Sequence, residues 1–99
     1  MIVVRFKVRC RPEKADEVAT ALDAVIAPSR ALPGTIELDI ARCLDDPTSF
    51  VATEIYEDRA ALDRQEALPE VVDALALIRE SRVESEALIY HVSSTEGFG

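Results

Sequence analysis

The sequence predicts an α+β domain whose elements run strand, helix, strand, strand, helix, strand. Three observations predict it. Apolar residues alternate with polar ones in four separate runs, the period of a half-buried strand. Between the first pair and the last pair of those runs, apolar residues recur three and four apart, the period of a helix lying on a core. Turn residues punctuate the boundaries, as at Pro33-Gly34 and Asp45-Asp46-Pro47. A length of 99 residues, 48% hydrophobic and 30% charged, holds one globular domain.

Ile2, Val4, Phe6, Val8 and Cys10 share one strand face, and Val3, Arg5, Lys7 and Arg9 the other. Arg11-Pro12 ends the strand, because proline cannot donate to a ladder. A helix opens at Pro12 or Glu13, with Glu13, Asp16 and Glu17 at its positive end and, with Asp23, on its solvated side. Ala15, Val18, Ala19, Leu22, Val25 and Ile26 form its apolar stripe. Pro28 is expected to break or kink it, with a further turn to Leu32.

Thr35 to Cys43 reads as the second strand, with Ile36, Leu38 and Ile40 on one face. The loop at Asp45 to Thr48 makes a hairpin with the third strand, Ser49 to Glu57. Asp58 suits an N-cap for a helix over Ala60 to Leu68. Pro69, at a first helical position, restarts it, with Val71, Val72, Leu75 and Ile78 on the buried side. Arg82 to Ser93 is the fourth strand. Residues 1–93 make the domain, and 94–99 form a polar, loose tail.

This order is the split βαβ arrangement of ferredoxin-like folds. Right-handed crossovers then give a four-stranded antiparallel sheet with the helices on one face. The other face is also apolar in places: Val51 and Ile55 on the third strand, Leu88, Tyr90 and Val92 on the fourth. An apolar sheet face left in water is a liability, and a second copy packed sheet to sheet removes it. A homodimer is therefore expected.

The balance of 19 acidic against 11 basic residues, net charge −8, excludes nucleic acid and anionic membrane as natural partners, since phosphate needs a basic footprint. No apolar run reaches the ~18 residues of a membrane span. Ile2 to Val4 is too short for a signal-peptide core, so a cytoplasmic location is expected. Cys10, Cys43 and the lone histidine, His91, lack the spacing of a metal site and read as free thiols and an isolated imidazole. Ser29 and Ser81 have no His and acid arranged around them, which leaves a serine hydrolase without support. Gly34, Gly97 and Gly99 are isolated and make no phosphate loop.

Three stretches carry a family resemblance. Ala27-Pro28-Ser29-Arg30-Ala31-Leu32-Pro33-Gly34 resembles the end of the first helix in the antibiotic biosynthesis monooxygenase (ABM) domain family. Leu44-Asp45-Asp46-Pro47-Thr48 resembles its hairpin loop, and Glu54-Ile55-Tyr56-Glu57-Asp58 its strand-to-helix junction. The resemblance spans about residues 2–92 and implies a dimeric α+β barrel. It also implies cofactor-free oxygenation of a quinol-like or polyketide-like aromatic, though the family includes haem-degrading members. Where that family often has Trp stands Tyr56, and where it often has His stand Gln65 and Glu70, with Pro69 retained. Those departures argue against a His-dependent step and against haem.

Cofactor-free oxygenation needs a base, an apolar pocket and donors for oxyanion charge. The pocket is expected between sheet and helices, its mouth near the second helix. Glu54 shares a strand face with Phe50, Ala52 and Tyr56, so burial would raise its pKa and suit it to base chemistry. The plainer alternative pairs Glu54 with Arg5, Lys7 or Arg9. Tyr56 can donate to a substrate oxygen or simply close the sheet edge. His91 is the one side chain that ordinarily titrates near neutrality, and serves as a base or as a satisfied histidine at the strand end. Gln65 can orient substrate or lie on the helix surface, and Phe6 and Phe50 offer apolar contact to substrate. A non-catalytic dimeric protein that binds a small apolar molecule, or an accessory subunit, is the alternative function. An isomerase on the same scaffold is a third.

Overall fold

A computed structural model describes all 99 residues. Strand β1 (Ile2–Cys10) leads through a short 3₁₀ turn (Pro12–Lys14) into helix α1 (Ala15–Arg30). Strands β2 (Thr35–Arg42) and β3 (Ser49–Tyr56) form the hairpin, followed by α2 (Arg59–Glu66), α3 (Pro69–Ser81) and β4 (Arg82–His91). The sheet is antiparallel in the order β2-β3-β1-β4, the ferredoxin-like arrangement that the element order predicts.

Register fixes what each face carries. Val4 lies between Glu54 and Ile89, and Glu54 in turn lies beside Leu38. The next row joins Ala87, Phe6, Ala52 and Ile40. Both rows face the helices. The opposite face carries Val3 between Ile55 and Tyr90, Arg5 between Thr53 and Leu88, and Lys7 between Val51 and Glu86.

The core has one part under α1, where Val8, Cys10, Val18, Leu22, Phe50 and Ile78 meet. A second part lies under α2, where Ile2, Val4, Tyr56, Ala61 and Leu62 meet. Asp58 caps α2 by accepting from the Ala61 N–H at 2.9 Å, which satisfies a donor the helix leaves free. Leu68 is extended because it precedes Pro69, so the chain turns between α2 and α3 there.

Three local expectations are corrected. Pro28 does not end α1, which runs on to Arg30. The proline removes a single hydrogen bond near the helix end, and Ala24, whose carbonyl loses that partner, is exposed. Ile36 does not share the buried face of Leu38: the β2–β3 register slips between Thr35 and Glu37, leaving Ile36 as the extra residue, 54% exposed. On α3 the buried line is Val71, Ala74, Ile78 and Ser81, while Val72 and Leu75 are exposed. Every residue of β4 is exposed, since the helices only partly reach this edge strand and its outer face is bare.

Candidate active site

A cavity of about 230 Å³ lies between the sheet and all three helices. Its floor is the two sheet rows described above, at Val4, Phe6, Leu38, Ile40, Ala52 and Ala87. Leu22 and Val25 of α1 and Val71, Ala74 and Ile78 of α3 make its apolar walls. The small side chains of Ala52, Ala74 and Ala87 are what leave the space open. Polar atoms enter from two places only: Glu54 in β3, and Gln65 with Glu66 at the end of α2.

Glu54 sits on the helix-facing side, so Arg5, Lys7 and Arg9, on the other face, are not its partners. Its partner is Tyr56, two residues along on the same face, whose hydroxyl donates to Glu54 Oε1 at 2.5 Å. Tyr56 is fully buried. Burial pushes the Glu54 carboxyl above the usual range, the Tyr56 hydrogen bond pulls it partly back, and the charge of Glu66 pushes it up again. Burial likewise raises the Tyr56 phenol far above its ordinary value, helped by the hydrogen bond to Glu54 and the charges of Glu54 and Glu66. Tyr56 is therefore a neutral donor committed to Glu54. The second carboxyl oxygen of Glu54 accepts no hydrogen bond from the protein.

Gln65 is 5% exposed and not a surface residue. Its Nε2 donates to Ser29 Oγ at 3.2 Å, and Ser29 is itself fully buried in α1. That bond fixes the amide between α1 and α2 at the cavity wall.

The structure thus brings Glu54, Gln65 and Phe6 to one cavity, with Tyr56 held behind Glu54. Two other candidates fall elsewhere. Phe50 is buried among Val8, Cys10 and Val18, with the Arg42 guanidinium 5.0 Å from its ring centre, and borders a separate recess of about 170 Å³ beside α1. His91 ends β4 opposite Ile2, exposed and away from the cavity. Sequence reading missed Glu66 and the Ser29 partner of Gln65. The signal for Glu66 was present: Leu62, Gln65 and Glu66 lie three and four apart on one helix face.

A larger recess of about 400 Å³ lies on the opposite sheet face near the hairpin. Charged side chains line it, some already paired, as Arg9 is with Glu84 at 3.4 Å. It offers no apolar seat for an aromatic molecule.

The chain is thus a ferredoxin-like α+β domain with an apolar cavity that holds a buried acid under its helices. The sequence profile of the antibiotic biosynthesis monooxygenase family matches residues 1–77, and the chain belongs to that family. It is 34% identical over 62 residues, 63% of its length, to the uncharacterized protein sll1783 of Synechocystis. It is 29% identical over 62 residues to the "Putative monooxygenase YcnE" of Bacillus subtilis. The matches span 42% and 65% of those two relatives. Among solved structures, Rv0793 from Mycobacterium tuberculosis superposes with a TM-score of 0.87 at 24% identity, over 97% of this chain and 98% of that one. That likeness concerns the fold. No helix is long and apolar enough to cross a membrane.

Proposed function

We propose that the protein is a cofactor-independent monooxygenase of a quinol-like or polyketide-like aromatic, with Glu54 as its base. One observation carries this reading: a carboxylate of raised proton affinity, steadied by Tyr56, stands at the wall of an apolar cavity. Family membership and the monooxygenase name of a relative support it.

In this reading the aromatic enters between the sheet and α2. Glu54 Oε2 takes the phenolic proton, and the apolar walls keep water from the resulting anion. The anion's ring carbon gives an electron to dioxygen, and the radical pair joins to form a carbon–oxygen bond. Protonation yields a hydroperoxide, which loses water to leave a carbonyl. One oxygen atom stays in the product and the other leaves as water. Gln65 orients the ring at the helix side, and Phe6 contacts it from the floor.

The test is dioxygen consumption with 1,4-naphthohydroquinone. The reading expects 2-hydroxy-1,4-naphthoquinone labelled by oxygen-18 from the gas, with a rate at least about 100-fold lower in Glu54→Gln. Plain naphthoquinone with hydrogen peroxide, at a rate indifferent to Glu54, contradicts it.

A non-catalytic binding or accessory role is favoured by a different observation. The hydroxyl of Tyr56 is engaged by Glu54 and one N–H of Gln65 Nε2 by Ser29, which leaves a single amide N–H as the side-chain donor for oxyanion charge.

The same proposal includes a homodimer. Its support is the outer sheet face, where Val3, Val51, Ile55, Leu88 and Tyr90 lie together and Leu88 and Tyr90 are 41% and 48% exposed. The free thiols of Cys10 and Cys43 suit the reducing cytoplasm.

A further inference from the structure

The polar atoms that border the cavity share one character. Glu54 and Glu66 contribute carboxylates, Gln65 contributes an amide, and no Lys, Arg or His lines it. Of the donors nearest to it, Tyr56 Oη is spent on Glu54, and one of the two N–H groups of Gln65 Nε2 is spent on Ser29. Glu54 Oε2 and Gln65 Oε1 accept nothing from the protein. What remains for a ligand is mostly acceptors, the carboxylates of Glu54 and Glu66 and the Gln65 carbonyl against one Gln65 N–H, in an apolar room. A ligand acceptor placed anywhere but at that one N–H would face lone pairs and lose its water without replacement. A ligand anion would face the buried Glu54 carboxylate and, at the solvent rim, that of Glu66, inside a chain of net charge −8.

Size sets a second limit. A dry aliphatic cavity of about 150 Å³ takes up benzene. At about 230 Å³ this one seats a second ring, and a third would project through its mouth into water.

We propose that the cavity selects a one- or two-ring aromatic that brings its own hydrogen-bond donor, as a phenolic hydroxyl or an ammonium group, and rejects carboxylates and larger fused systems. This rests on the reading of the cavity as the ligand site, and it narrows that reading's substrate to the quinol-like end. Glu54 and Gln65 receive the donor, and Glu66 at the rim turns anions away. Specificity here is mostly repulsive, built from groups that a wrong ligand leaves unpaired.

Calorimetric titration at neutral pH tests this with matched probes: 2-naphthol, 2-naphthylmethylammonium, 2-methoxynaphthalene, 2-naphthoate and 9-phenanthrol. The first two are expected to bind at least about tenfold tighter than the ether, and naphthoate and phenanthrol more weakly still. Glu66→Gln, at an exposed position, is expected to narrow the gap between naphthol and naphthoate by about tenfold while leaving the fold intact. Naphthoate binding as tightly as naphthol overturns the proposal, and so does equal binding of naphthol and its ether, or no binding of any probe. Because titration needs no turnover, the two readings fail separately. The expected binding order without dioxygen uptake removes the monooxygenase and leaves this inference standing; turnover with an inverted order does the reverse.

Discussion

The Tyr56 hydroxyl lies 2.5 Å from Glu54 Oε1, so the phenol beside the cavity donates its hydrogen bond to the protein's own carboxylate and not to a ligand. Strand geometry makes the pair, since residues two apart share a face. The bond favours the ionised carboxyl, whereas burial and Glu66 oppose it. Tyr56→Phe removes the favourable part. The Glu54 carboxyl is then expected to titrate at higher pH than in the parent, and the acid limb of any Glu54-dependent rate to move up with it. The lost hydrogen bond costs about 1–3 kcal/mol of stability, readable by urea denaturation. An unmoved limb makes Tyr56 a packing residue only.

Glu54 also makes stability depend on pH, with a definite sign. Its folded-state pKa is raised, so between its ordinary value and the folded one the native state holds more protons than the unfolded chain. Its contribution to stability is present below the unfolded pKa and is lost as pH rises through the folded one. Glu54→Gln keeps an acceptor for Tyr56 and removes the charge. The variant is expected to melt higher than the parent at neutral pH, with the difference shrinking as pH falls toward the ordinary glutamate range. A difference that grows on acidification contradicts the sign.

Ala52 sits at the centre of the cavity floor, between Phe6 and Ile40. Ala52→Leu fills space that is otherwise empty, which commonly adds about 0.5–2 kcal/mol of stability. Ligand affinity is expected to fall more than about tenfold in the same protein. Unchanged affinity would place the ligand elsewhere.

Gly34 holds φ +84°, and a Cβ there would stand 2.7 Å from the Ala61 Cβ. The close approach lets α2 settle over the end of β3, where Ala61 and Leu62 cover Tyr56. Gly34→Ala is expected to cost more than about 1 kcal/mol and to loosen α2. The check is faster amide exchange through α2 than through α1; an unaffected α2 would show the contact to be unimportant.

The proposed dimer face offers its own test. Leu88 lies opposite Arg5 and Val51 opposite Lys7 on the bare side of the sheet. Leu88→Lys with Val51→Lys puts like charges where apolar contact is proposed. The parent is expected to sediment at twice the monomer mass and the double variant at the monomer mass, both folded. A monomeric parent at micromolar concentration removes the dimer.

Much of the fold was legible because period and punctuation are local properties. The alternation from Ile2 to Cys10 matches β1 residue for residue, and Asp58 and Pro69 mark α2 and α3 within a residue. Ile36 was misread because a bulge preserves the alternating sequence while changing the face. Val72 and Leu75 were misread because the stripe's centre depends on where α3 lands on the sheet. For the site, strand parity placed Glu54 beside Tyr56, but parity cannot choose between a substrate and a neighbouring carboxylate as the hydroxyl's partner. It also set Phe50 on the face of Glu54 and Tyr56, but parity does not say that Phe50 borders a different recess, beside α1. The Gln65–Ser29 bond joins residues 36 apart, and nothing local announces it.

The most direct test of the central claim is carbon-13 NMR titration of the protein labelled at its glutamate side-chain carboxyls, with and without 2-naphthol. One resonance, assigned through its loss in Glu54→Gln, is expected to titrate above the ordinary glutamate range and to shift when naphthol is added. If the Glu54 carboxyl titrates with the exposed glutamates and ignores the ligand, the buried base at the cavity wall, and the function built on it, is wrong.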